Sequence, residues 1–313
     1  MMKRSALFLV FAVCGGLASV PVSAQSRDAA SWAAHVATEY TAATNITYLT
    51  ASNTELKLDI YAPRGITTPN PVVIYYHGGG WVGGSREGAI WWLAPYLEMG
   101  FTVVNVSYRL GRVALAPAAV EDCRCALQWV VRNAKERNFD VTKIVLTGAS
   151  AGGHLSLTSG MLTAAAGLDR QCPSAFGPIP NVPAEEPKVA AIVNWFGITD
   201  VGDLLEGPNA QGYAIAWMGS QLNRHDIAKR TSPLTYVRAG LPPTITIHGD
   251  ADRVVPYSHA TRLHAELQKH GVTNQLVTVP GGGHGGFTRE QNEKNYAAIR
   301  EFLGKLGLLK PRS

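Results

Sequence analysis

The sequence predicts an α/β fold, a mostly parallel central sheet flanked by helices on both faces. Three observations predict it. Short, dense apolar runs alternate with segments of helical period along most of the chain. At 313 residues the chain is long enough to bury the core such a sheet needs. Its 46% hydrophobic and 16% charged residues are those of a globular protein and exclude a disordered one. No internal repeat is visible, which argues against a solenoid or propeller.

The elements follow in order. Residues 1–24 read as a cleavable secretory leader. Lys3 and Arg4 form its basic start, Leu7 to Val13 its apolar core, and Val22-Ser23-Ala24 a small-residue cleavage site. A secreted or periplasmic protein is expected, with residues 25–313 as a single domain. Residues 44–50 and 55–61 alternate apolar and polar side chains around Ser52-Asn53 and predict an opening β-hairpin. Buried strands are expected at Val72–Tyr76, Phe101–Val106, Lys143–Thr147, Val189–Trp195, Thr244–His248 and Gln275–Val279. Helical periods cover 118–137, 151–166, 257–270 and 291–306. Two stretches break the rhythm. Residues 168–188 form an irregular, proline-rich insertion. Residues 202–235 are long for a connection and carry Tyr213 and Trp217, as a loop-rich lid over a site would.

Charge and cysteines exclude several functions. The net charge of +5 is mild and its bases are scattered, so neither nucleic acid nor a membrane surface is an expected partner. After residue 24 no run of about 20 apolar residues could span a bilayer. Of the four cysteines, Cys123, Cys125 and Cys172 lie beyond the leader. Cys123 and Cys125, two apart on a helix, point to different faces, so Cys172 is expected to pair with one of them. No second Cys or His pair has metal-ligand spacing, and no metal site is expected.

In a sheet of this class the chemistry lies beyond the carboxyl ends of the strands. After the strand ending near Thr147 stands Gly148-Ala149-Ser150-Ala151-Gly152, then a helix. A serine on so tight a strand-to-helix turn is lifted into solvent, and only glycines two residues either side avoid a clash. The helix behind it aims N–H groups at any developing oxyanion. After Tyr76 stands His77-Gly78-Gly79-Gly80-Trp81, whose glycines let backbone N–H groups approach a ligand. The expected oxyanion donors are the Gly79, Gly80 and Ala151 N–H groups, with His77 holding the loop. A serine needs a base, and the base needs a carboxylate. Asp250 and Asp252 follow the strand ending at His248, and His284 follows the strand ending at Val279. The order Ser, Asp, His is the one this fold uses.

These motifs together resemble the α/β-hydrolases of the esterase branch that carries HGGGW and GxSAGG, over about residues 44–306. The resemblance implies the α/β-hydrolase fold and a Ser150, Asp252, His284 triad. It takes the second Asp of Gly249-Asp250-Ala251-Asp252 as the acid and leaves Asp250 as a turn residue. It also implies that Arg109 and Asp122 form a structural ion pair bracing the oxyanion loop. Relatives of the hormone-sensitive-lipase type carry a helical cap partly built from an N-terminal extension. About 20 residues between Gln25 and the first strand are too few for a full cap. An open cleft is therefore expected, suited to a bulky or polymeric ester. The pattern is similar to that of acetyl-xylan and feruloyl esterases. Trp81, Tyr108 and Trp195, each just past or at a strand end, are expected to contact substrate, and His154 to be a packing residue. The expected activity is hydrolysis of a small-molecule or polysaccharide-linked carboxylic ester, without metal or organic cofactor. Amide hydrolysis of the arylformamidase or peptidase kind, lipase action on longer acyl chains, and a binding protein that has lost catalysis are the alternatives.

Overall fold

Alternate residues of each apolar run face opposite layers, and this builds the sheet. The computed structural model describes residues 22–172 and 187–309. On β3 (Asn70–Tyr76), Val72, Ile74 and Tyr76 enter one core, while Val73 and Tyr75 enter the other. A strand buried on both faces has no polar side to spare, which is why these runs are nearly continuous in apolar residues. The other strands are β1 (Tyr40–Ala51), β2 (Thr54–Pro63), β4 (Thr102–Val106), β5 (Phe139–Ala149), β6 (Ala191–Trp195), β7 (Thr244–Gly249) and β8 (Asn274–Val279). Their order is β1-β2-β4-β3-β5-β6-β7-β8. The β1/β2 and β2/β4 pairs are antiparallel and the rest parallel. The hairpin turns at Ser52 and Asn53, both left-handed with φ of 50° and 54°. That geometry matches the twist of a tight two-residue hairpin.

The helices are α1 (Val22–Glu39), α2 (Ala94–Glu98), α3 (Ala118–Arg132), α4 (Ala134–Arg137), α5 (Ala151–Met161), α6 (Gly212–Met218), α7 (Arg224–Thr231), α8 (Ser258–Lys269) and α9 (Arg289–Lys305). Helices α3 and α5 pack on one face of the sheet, and α2 and α9 on the other. A third cluster joins α5, through Leu157 and Met161, to Leu263 and Leu267 of α8.

Two helices are shorter than their periodicity predicts. The expected 118–137 helix is interrupted at Asn133, whose side chain bonds back to the Trp129 carbonyl. The expected 151–166 helix ends at Met161. Arg124, buried on α3, donates to the Ser159 and Leu162 carbonyls and pairs with Asp169, so the last turn is capped there. Carbonyls at a helix end need such partners.

Tyr40–Ser313 form one compact unit and Met1–Glu39 another. The expected leader lies almost wholly outside the described residues, and α1 begins within its cleavage site at Val22. Most of the 168–188 insertion also lies outside them. No helix among the described residues is long and apolar enough to cross a membrane. Cys172 is joined to Cys125 rather than Cys123, which stays buried and free.

Candidate active site

The end of β5 and the start of α5 place Ser150. Its backbone is left-handed, with φ 57° and ψ −119°. Few non-glycine residues adopt such a conformation, and strain of this kind clusters at functional positions. The flanking glycines are dictated by packing. A Cβ on Gly148 would lie 2.3 Å from the Tyr76 carbonyl oxygen, and one on Gly152 2.0 Å from the same atom. The end of β3 thus lies directly beneath the turn.

Ser150 Oγ donates to His284 Nε2 at 2.9 Å, and His284 Nδ1–H donates to Asp252 Oδ2 at 2.7 Å. The other carboxylate oxygen, Oδ1, accepts the Val254 and Val255 N–H groups at 2.8 and 3.0 Å. Burial works against the Asp252 charge, but hydrogen bonds from His248, His284 and the Val255 N–H hold its carboxyl well below the usual carboxylate range. Asp250 accepts the Gly281 N–H at 2.7 Å and so ties the acid loop to the loop bearing His284. That is the turn role expected of it.

The glycine loop after β3 folds back on itself. Val82 and Gly83 N–H groups donate to the Gly79 carbonyl. The Gly79 and Gly80 N–H groups have no hydrogen-bond acceptor among the described residues. Ala151 N–H opens α5 one residue after Ser150. His77 Nδ1–H donates to the Gly78 carbonyl at 2.8 Å, and burial lowers the His77 pKa from its ordinary 6.5 to about 4. His77 therefore holds this loop, as expected.

Arg109 and Asp122 form a buried pair, with Arg109 Nη2 2.7 Å from Asp122 Oδ1. The Arg109 N–H donates to the same carboxylate. The neighbouring Tyr108 hydroxyl donates to the His77 carbonyl at 2.8 Å, so this ion pair supports the glycine loop through Tyr108.

The three expected substrate contacts do not hold. Trp81, also left-handed at φ 61°, turns its ring inward and is fully buried. It stacks on Trp217 at 4.1 Å and donates through Nε1 to His154 Nδ1. His154 Nε2 in turn donates to the Thr231 carbonyl, so this histidine is a packing residue as expected. Tyr108 is buried by its stacking on His77. Trp195, the last residue of β6, points into the core against Tyr296 and donates to the Tyr96 hydroxyl.

The cleft above Ser150 and His284 holds about 520 Å³ and takes its apolar walls from Trp92, Phe196, Tyr213 and Val254. Phe196 packs edge-on against His284 at 4.8 Å between ring centres. Sequence reasoning picked Trp195 and missed its neighbour. Phe196 stands just past the end of β6 in a left-handed conformation, φ 38°, so the chain turns there and brings its ring to the cleft. Tyr213 and Trp217 both come from the 202–235 stretch. Tyr213 donates to the Val254 carbonyl at 3.1 Å, and Trp217 is fully buried. This stretch therefore forms one wall of the cleft. Trp92 belongs to a 3₁₀ turn over Glu87–Trp92 that the strand–helix rhythm does not announce.

Known proteins share this architecture. Over residues 58–267 the chain matches the family model BD-FAE. It is 29% identical to esterase LipC of Mycobacterium tuberculosis over 238 residues, 73% of this chain. The chain spans about half the length of the curated relatives it matches, 56% of LipC and 55% of esterase LipQ. Among solved structures, propionate-bound esterase 2 of Thermogutta terrifontis aligns with a TM-score of 0.71 and 26% identity, covering 87% of this chain and 97% of that one. A truncated carbohydrate esterase from gut microbiota aligns with a TM-score of 0.68 and 29% identity, covering 86% and 97%. The fold is that of the α/β-hydrolases, and with two thirds of its length under the family model the chain belongs to the BD-FAE family.

Proposed function

We propose that this protein is a serine carboxylic-ester hydrolase. The observation that carries the reading is the unbroken hydrogen-bonded chain from Ser150 through His284 to Asp252, set on a strained turn at the floor of an open cleft. Ser150 attacks the ester carbonyl while His284 takes its proton. Asp252 orients the imidazole and stabilises its charged form. The Gly79, Gly80 and Ala151 N–H groups bind the oxyanion. His284 then protonates the leaving alcohol, and water activated by the same imidazole frees the acid from Ser150.

We take the substrate to carry a short acyl group or a feruloyl group, on a small alcohol or a plant cell-wall carbohydrate. The esterase names of the relatives support the reaction class. The carbohydrate esterase and the propionate-bound esterase among the structural neighbours support the substrate class. Export through the N-terminal segment agrees with a polymeric substrate outside the cell.

The test compares p-nitrophenyl acetate, butyrate and laurate with methyl ferulate and acetylated xylan, each against Ser150→Ala. Short-acyl turnover with ferulate or acetate release is expected. Ser150→Ala is expected to lose about three or more orders of magnitude in kcat with the fold intact. Retained activity in that variant sinks the mechanism, and a rate rising towards laurate sinks the substrate class.

A further inference from the structure

The acid loop contains a second imidazole that the triad does not explain. His248, at the end of β7, is fully buried. Its Nε2 lies 3.0 Å from the Val255 carbonyl oxygen and 3.2 Å from Asp252 Oδ2. A carbonyl oxygen only accepts, so Nε2 carries the hydrogen and donates it to Val255, with Asp252 Oδ2 close beside it. Nδ1 has no partner among the described residues, which agrees with a bare ring nitrogen in the Nε2–H tautomer. Phe196 and Tyr257 pack edge-on against the ring and fix its plane.

Asp252 Oδ2 therefore faces two imidazoles, His284 at 2.7 Å and His248 at 3.2 Å. The carboxylate side chain is fully buried; Oδ1 accepts two N–H groups, and Oδ2 accepts the His284 Nδ1–H and faces His248 Nε2. Without His248 one acceptor direction of Oδ2 would be left unpaired, which is costly for a buried charge. The titratable groups facing this carboxylate are His248, His284 and, from α6, Tyr213. Tyr257 faces the far side of the His248 ring.

We propose that His248 is a positioning residue for the reaction: its Nε2–H holds the Asp252 carboxylate ionised and turned toward His284. The proposal rests on the serine-hydrolase reading above. It makes the histidine of His248-Gly249-Asp250-Ala251-Asp252 part of the catalytic apparatus without contact to substrate.

The test uses the full chain and p-nitrophenyl acetate. His248→Phe keeps a ring of similar volume and removes the donor. His248→Gln keeps an N–H donor at the reach of Nε2, and His248→Asn stops short of it. His248→Phe is expected to lower kcat by about ten- to a hundredfold with KM within about twofold. The acidic limb of its kcat/KM profile is expected to move to higher pH, because a carboxylate with one donor fewer draws a proton to its side more strongly. His248→Gln is expected to recover most of both. Wild-type kcat and profile in His248→Phe overturn the proposal. Where His248→Phe does not fold, equal kcat in folded His248→Gln and His248→Asn overturns it instead. Ser150→Ala run alongside separates the two failures. If that variant is dead and His248→Phe is unchanged, only this inference fails; if Ser150→Ala is active, the hydrolase reading fails first.

Discussion

At the residue scale, burial sets the charge state of His77 and His154. Burial lowers the pKa of His154 from its ordinary 6.5 to about 3 and that of His77 to about 4. An unfolded histidine takes up a proton near pH 6.5, while these two stay neutral in the folded protein. Between those values the unfolded state binds more protons, so stability is full above pH ~6.5 and falls as the pH drops towards ~4. The expected slope is about 1.4 kcal/mol per pH unit for each such histidine. Depression of the Asp252 pKa adds a further loss below the ordinary carboxylate range. Chemical denaturation at a series of pH values checks this. A His154→Gln variant, which cannot titrate, is expected to show a shallower acid slope, and an unchanged slope assigns the effect to other groups. At the same scale, Gly152 has no room for a methyl group against the Tyr76 carbonyl.

At the scale of elements, the segment after α5 is tied to α3 twice, by the Arg124 contacts and by the Cys125–Cys172 disulfide. The disulfide closes a loop over a separation of 47 residues. Its removal frees the unfolded chain, and Cys172→Ser is expected to cost about 2–4 kcal/mol in denaturant unfolding. Neither half of the bridge lines the cleft, so its role is expected to be structural. Activity of Cys172→Ser at low temperature is therefore expected to match the parent, and a large fall in kcat without loss of stability would contradict that.

At the scale of the whole molecule, the cleft is assembled from segments far apart in sequence. Trp92 follows β3, Phe196 follows β6, Val254 follows β7, and Tyr213 comes from the long β6–β7 connection. Tyr213 lies so close to the glycine loop that a Cβ on Gly80 would sit 2.8 Å from its own Cβ. It also reaches the acid loop through Val254. It therefore limits the space beside the reacting carbonyl. Tyr213→Ala is expected to raise the butyrate-to-acetate ratio of kcat/KM by about threefold or more, within the range that one or two methylenes can command in an apolar pocket. An unchanged ratio would place the acyl group on another wall.

The sequence by itself determined what depends on local backbone chemistry. Strands buried on both faces must be nearly all apolar, so their places were legible. Tight turns demand glycine, so the Ser150 turn and the Gly78–Gly80 loop were legible too; His284 followed from its place after a strand, and the choice of Asp252 over Asp250 from the resemblance to the esterase branch. The tertiary structure decided which way the large aromatic residues face. Trp81, Tyr108 and Trp195 lie at the right strand ends, yet a left-handed backbone, a stacked histidine and packing against Tyr296 and Tyr96 bury them away from the cleft. The same holds for Cys125 over Cys123 and for His248, whose partner became visible only when β7 and the acid loop closed around it. Spacing along a chain sets the faces of one element; which face meets which neighbour is a property of packing between elements distant in sequence.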